Sequence, residues 1–268
     1  MAKTLIAFGD LHIPDHNPVA VELLCKAVEL VKPDILICLG DLLDCNQFSS
    51  YPPTFGVEET DYADDVVLAC KILDRLQDSC GRLVMIEGNH EQRIARYAAN
   101  DRKGKGTYTM LAPHIVLPKG RRRCRYVQMG ERDFYKITPQ LWVTHGWSYA
   151  KNAVGIHMDI AQGHSVIFGH THRCDMRVFP IRATCGASVT AISGGCLCNL
   201  RPLYRSGKPV DWVNGFVQGY IGKHSHTLYP ATMQDNKRII LTDGTEVATT
   251  NNGQNRKGVK ESLRKGRT

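Results

Sequence analysis

The sequence predicts an α/β protein, a four-layer αββα sandwich of two mixed sheets with flanking helices. Three observations lead there. Continuous apolar runs alternate with helix-periodic segments through the first half, the pattern of parallel β-α-β units. Beyond the middle the runs shorten and turn residues multiply, as antiparallel strands require. Each of five predicted strands also ends in carboxylate, amide or imidazole residues beside glycine. That is the edge at which open α/β sheets bind ligands.

The elements follow in order. Residues 4–8, with Leu5, Ile6 and Phe8, form a run suited to a strand buried on both faces. Asn17-Pro18 reads as an N-cap with proline in the first turn. Val19, Leu23, Leu24, Ala27 and Val28 then recur at helical spacing, and Pro33 lies past the end. Residues 34–39 give a second buried strand. Thr60 opens another helix, with Val66, Val67, Cys70, Leu73 and Leu76 on one face and Gly81 as its stop. Residues 83–86, 141–144 and 165–168 give further strands, and a helix falls around 151–161. Strand-like pieces follow at 188–193 and 238–242. From Gly244 onward the chain is polar and rich in Gly, Asn and Lys, which reads as disordered. The expected organisation is one domain over 1–243 and a basic tail over 244–268.

Composition sets the class. Of 268 residues, 43% are hydrophobic and 22% charged, as in ordinary globular domains. No apolar run approaches the roughly 20 residues of a membrane span. The apolar start ends in Gly9-Asp10 without a small-residue cleavage site, so it reads as a first strand. The expected location is cytoplasmic, or the host cytoplasm if the chain is phage-encoded. Cys25, Cys38 and Cys70 sit in apolar runs and behave as small hydrophobes. No Cys-x-x-Cys pair occurs, and Cys196-x-Cys198 reads as buried strand residues; a reduced compartment fits. The net charge of +8 is uneven. Residues 254–268 hold six basic residues against Glu261, a net of +5, which leaves +3 for residues 1–253. The basic character is largely a property of the tail.

The chemistry lies at the strand ends. They read Gly9-Asp10-Leu11-His12, Gly40-Asp41-Leu42-Leu43-Asp44, Gly88-Asn89-His90-Glu91, His145-Gly146 and Gly169-His170-Thr171-His172. Carboxylate, amide oxygen and imidazole suit hard or borderline divalent ions and demand no thiolate. In Asp10-x-His12 and His170-x-His172, extended alternation points both side chains one way. Alone, an Asp-x-His is more often an exposed polar pair and a Gly-Asn-His more often a turn. Five such motifs after five strands make a site.

That series resembles the calcineurin-like metallophosphoesterases over Gly9 to His172. Gly194-Gly195-Cys196-Leu197-Cys198 and Trp212-Val213-Asn214-Gly215-Phe216 are similar to the bacteriophage-type branch. The resemblance implies a two-metal hydrolase of phosphate esters. Asp10, His12 and His172 would hold one ion, and Asn89, His145 and His170 the other, with Asp41 bridging. His90 would act on the scissile phosphate without binding metal, oriented by Asp44. Mn²⁺ leads as the metal, with Fe²⁺, Zn²⁺ or Mg²⁺ as alternatives. Glu91 is not a ligand in the family and reads as an acid at the start of the next helix.

Substrate readings differ by class. Ile13 follows His12 and Cys45 follows Asp44, so the Arg-Gly signature of phosphoprotein phosphatases is missing. Together with the basic tail and the cluster from Arg121 to Arg125, this favours phosphodiesters, with nucleic acid as the leading partner. A phosphomonoesterase is the alternative. A non-catalytic binding module is disfavoured because no ligand of the motif series is lost. Arg93 and Arg96 could reach a substrate phosphate or form a solvated helix face. Trp142 reads as core and Trp147 as a pocket wall.

Overall fold

The computed structural model describes residues 1–50, 60–100, 110–130, 132–181, 187–202 and 209–249. The first half runs β1 (Lys3–Phe8), α1 (Pro18–Val31), β2 (Ile35–Cys38), α2 (Tyr62–Asp78), β3 (Arg82–Ile86), α3 (Gln92–Asn100), α4 (Pro113–Val116) and β4 (Cys124–Val127). The second half runs β5 (Tyr135–Lys136), β6 (Leu141–Thr144), α5 (Ala153–Ile160), β7 (Ser165–Phe168), β8 (Cys174–Pro180), β9 (Ser188–Gly194), β10 (Gly215–Ile221), β11 (His226–Thr232), β12 (Arg238–Ile240) and β13 (Glu246–Ala248).

Two mixed sheets result. One is ordered β11-β10-β1-β2-β3-β4 and the other β5-β6-β7-β9-β8. β1 to β4 pair in parallel, whereas β10 runs antiparallel to β1 and β11 to β10. The later half is less antiparallel than its short runs suggest: β6, β7 and β9 are parallel, and only β5 and β8 oppose them. The helix expected around 151–161 is present as α5, and it supplies the crossover that makes the β6–β7 pair parallel.

The period-2 alternation of β1 assigns the layers. Ile6 and Phe8 join Leu36, Cys38, Leu83 and Met85 against the helices, packing on Leu23, Leu24, Leu73 and Leu76. Leu5 and Ala7 face the opposite way and meet Leu141, Val143, Ile167 and Ile192 of the second sheet. Ala153, Val154 and Met158 of α5 cover Val166 and Phe168 on the far side. The αββα order expected from sequence is the observed one.

Local signals hold for α1, where the Asn17 side chain accepts from Val19 and Ala20 N–H and Lys32 ends the helix in the left-handed region. On α2 the buried face is Ala69, Ile72, Leu73 and Leu76, while Val67 is 52% exposed. The helix starts at Tyr62 behind the Asp61 cap rather than at Thr60. The boundary at Gly244 also needs correction. β13 pairs with β12, and Val247 is buried beside Ile239 and Leu241 in the core that α1 shares. Lys26 Nζ donates to Ala248 O at 2.9 Å. One apolar residue in a polar stretch gave no period to read, yet it suffices for an edge hairpin. The cationic segment 254–268 lies outside the described residues.

Candidate metal centre

The parallel β1–β2 pairing does not stop where the strands end. Asp10 N donates to Gly40 O at 3.0 Å, His12 N to Asp41 O at 2.9 Å and Asp44 N to Ile13 O at 3.0 Å. The two acidic loops therefore leave the sheet zipped together. Asp10, His12, Asp41, His170 and His172 all have φ between 50° and 68°. Left-handed backbone is uncommon for such residues, and its concentration here marks a site whose surroundings over-determine it. Glycine is required at two places. A Cβ on Gly40, at φ 101°, would lie 2.7 Å from the Gly88 backbone, and one on Gly88 would collide with the Asp41 carboxylate.

All nine residues singled out by sequence converge here. On one side, His12 Nε2 is 3.1 Å from His172 Nε2, and His172 Nε2 is 3.4 Å from Asp10 Oδ1. On the other, Asn89 Oδ1 is 2.9 Å from His145 Nε2 and 2.8 Å from His170 Nδ1. Asp41 stands between them, its Oδ2 3.3 Å from His145 Nε2 and 3.7 Å from His12 Nε2. Asp44 Oδ1 lies 3.0 Å from His12 Nδ1 and 2.7 Å from His90 Nδ1, so one carboxylate orients both rings.

These separations suit a metal centre. Ligand atoms about 2.0–2.2 Å from a shared ion sit roughly 3.0–3.5 Å apart. Three groups, Asp10–His12–His172, His12–Asp41–His90 and Asp41–His145–His170, bring their donor atoms within 4.8 Å of one another. The donors are oxygens and imidazole nitrogens, a set for Mn²⁺, Fe²⁺ or Zn²⁺. The field agrees. Burial opposes charge on His145 and His172, but Asp41 and Asp10 respectively overcome it and raise both rings to about 10. Burial and then the charge on His145 push His170 down to about 3. The buried carboxylates thus favour positive charge in their midst.

Partners outside the nine fix their orientation. His145 Nδ1 donates to Leu39 O at 2.9 Å. The His170 backbone N–H donates to both oxygens of Asp10 at 3.0 Å. His172 Nδ1 lies 3.6 Å from Cys198 Sγ, which is 3.5 Å from Cys196 Sγ. Asn214 Nδ2 holds that loop through Cys198 O at 2.8 Å, and Leu197 N donates to Asp10 O. Cys196 and Cys198 are buried as expected, but in the loop after β9 rather than in a strand.

Sequence reasoning missed Glu91. It does not serve its own helix. Its carboxylate accepts from the backbone N–H groups of Gly88, Asp41 and Leu43 at 2.9–3.0 Å and so ties two ligand loops together. Burial, then Asp41, raises its pKa to about 7. No spacing in the sequence signals a carboxylate that receives amides from 50 residues away.

Two arginine readings also change. Arg121 is buried and bound to Leu117 O, Cys70 O and Asp74, so it braces α2 and offers nothing to a polyanion. Arg122, Arg123 and Arg125 are exposed. Arg93 reaches the site: Nη1 donates to Asp44 O at 2.8 Å and Nη2 lies 3.2 Å from His90 Nε2. The guanidinium that the Asp44-Cys45 sequence seemed to exclude is supplied from α3.

A cleft of about 510 Å³ opens from Asn89, His90, His145 and His170. Trp147 forms part of its wall, as expected from the sequence. Trp142 is instead half-buried and stacked on His164 at 3.9 Å. His157 is fully buried. Its Nδ1 donates to Ala153 O at 2.7 Å, and its Nε2 accepts from Trp147 N–H at 3.3 Å.

A comparison with curated proteins gives no match. Among solved structures, the chain is similar to Vacuolar Protein Sorting 29 from Cryptosporidium parvum, at 14% identity and TM-score 0.48, over 93% of this chain and 100% of that one. It is also similar to Yfce, a phosphoesterase from E. coli, at 15% identity and TM-score 0.40, over 91% and 97%. A third is Pseudomonas putida nuclease MPE, at 14% identity and TM-score 0.32, over 84% and 87%. The family model for calcineurin-like phosphoesterases matches residues 3–174, which hold β1 to β7 and every one of the nine converging residues. The chain belongs to the calcineurin-like phosphoesterase family.

Proposed function

We propose that this protein is a two-metal phosphodiesterase acting on nucleotide or nucleic-acid esters. One observation supports it above others: the donor groups His12–Asp41–His90 and Asp41–His145–His170 meet at buried Asp41, and beside them a cleft with room for a second esterified group opens from Asn89, His90, His145 and His170. Asp10, His12 and His172 would hold one ion, and Asn89, His145 and His170 the other. When bound, such ions polarise phosphoryl oxygens and lower the pKa of the attacking water. The chain's own residues do the positioning. Asp44 fixes the His90 ring through Nδ1, so that Nε2 serves the reacting phosphate. Burial lowers the pKa of His90, but Asp41 and Asp44 outweigh it and raise the net value, which suits a proton donor. The attacking water gives one proton to solvent and its oxygen bonds to phosphorus, the ester P–O bond breaks, and the leaving oxygen takes a proton from His90, which regains one from solvent.

A phosphomonoesterase is the second reading, favoured by Arg93, whose guanidinium beside His90 could hold the extra charge of a monoester. The test is a panel of mono- and diesters with added Mn²⁺, and metal analysis alongside. The expected result is about two ions per chain, bis-p-nitrophenyl phosphate cleaved faster than p-nitrophenyl phosphate, and loss of activity in EDTA. Faster cleavage of monoesters hands the assignment to the second reading. Full activity in EDTA overturns both.

A further inference from the structure

The reaction accounts for one end of the cleft. The rest is lined by groups that phosphoryl chemistry does not use. Trp147 lies two residues past His145 and is half-buried, so part of its indole is open to the cleft. Its other contacts hold it still. His157 packs against the indole with ring centroids 4.3 Å apart and takes the Trp147 backbone N–H. Phe134 meets it edge-on at 5.9 Å. A flat apolar surface fixed in orientation loses little side-chain entropy when something stacks on it. Tyr149, 66% exposed, adds a second ring at the rim, tilted 4.0 Å above His170. Arg96 lines the same space from α3 and is exposed.

Aromatic surface and a cation beside a phosphate-processing centre match the chemistry of a nucleotide, whose flat base and charged phosphates alternate. The volume, about 510 Å³, falls in the range of small-ligand sites. A base inside a duplex has both faces stacked and cannot lie on an indole without leaving its partner. We propose that this cleft seats the base of an unpaired nucleotide against Trp147, with its ester phosphate at the metal centre. The site therefore selects nucleoside diesters over simple alkyl diesters, and single strands over duplexes. This rests on the phosphodiesterase reading and names its substrate class.

The test compares thymidine 5′-(p-nitrophenyl phosphate) with methyl p-nitrophenyl phosphate, using the Mn²⁺-loaded full-length protein. Both release the same leaving group, so their ratio reads the nucleoside alone. Wild type should prefer the nucleoside ester. Trp147→Ala and Trp147→Leu should cut that preference by roughly 5–150-fold, chiefly through KM, the range of one base–aromatic stack. Trp147→Phe should keep most of it. A single-stranded oligothymidylate should be cut faster than the same strand paired with oligodeoxyadenylate. Equal losses on both small esters would mean that Trp147 only supports the His145 loop, which overturns the proposal. An unchanged ratio in all variants does the same. If no diester is hydrolysed, the phosphodiesterase reading fails by itself. Binding of a fluorescent oligothymidylate then decides: weaker binding by Trp147→Leu than by Trp147→Phe keeps the stacking site, and equal binding removes it.

Discussion

The candidate metal centre is built by two halves of the chain that use different devices. The β1–β3 half supplies the carboxylates, an amide and the His12 imidazole, and it holds the acidic loops through backbone. The loops after β1 and β2 are hydrogen-bonded to each other, and Glu91 clamps Gly88, Asp41 and Leu43 by their N–H groups. The β6–β9 half supplies imidazoles. Two of its rings are aimed by whatever meets their second nitrogen: Leu39 O behind His145 and Cys198 Sγ behind His172. A carboxylate can accept from several directions, so a rigid loop is enough to place it. An imidazole has one nitrogen for the ion and one for the protein, so its orientation depends on a single distant partner.

The largest effect should come from removing the residue common to both halves. Asp41→Ala should lose both ions and all measurable turnover, whereas His172→Ala should lose about one. Metal analysis separates them; one retained ion in Asp41→Ala would end its assignment as the bridge. Next comes His90→Ala, which should lower kcat by roughly 10²–10⁴ with metal content intact. Loss of ions in that variant would make His90 a ligand instead.

The imidazole half is probed through its thiol. Cys198→Ala should weaken metal affinity by roughly 10–100-fold, and Cys198→Ser should restore much of it, because an oxygen can still accept from His172 Nδ1. Competition with a fluorescent chelator measures both. Equal affinities for Ala, Ser and wild type would show that His172 is aimed by packing alone.

The smallest effect concerns His157, the support of Trp147. Burial lowers its pKa to about 4 from the usual 6.5. Between those values the unfolded chain binds a proton that the folded one refuses, so this group's contribution to stability is present above 6.5 and is lost as pH falls towards 4. The expected slope reaches about 1.4 kcal/mol per pH unit at most. Urea denaturation of wild type and His157→Gln in EDTA across that window should give a shallower dependence for the variant. Parallel curves would show that the ring titrates freely.

The helix-period stripe of α1, the apolar strand runs and the motif after each strand were all legible, since each is a local pattern with a fixed spacing. Those patterns determined the fold class, the strand edge that bears the site, and all nine side chains that meet there. Tertiary structure alone decided the rest. Glu91 and Cys198 act on groups far away in sequence, Arg121 is drawn into an ion pair while Arg93 is delivered to His90, and Val247 completes a hairpin from within a polar stretch. The reason is physical. Strands and helices follow from neighbours a few residues apart, but a side chain's hydrogen-bond partner is fixed only when separate elements pack, and no spacing in the sequence records that meeting.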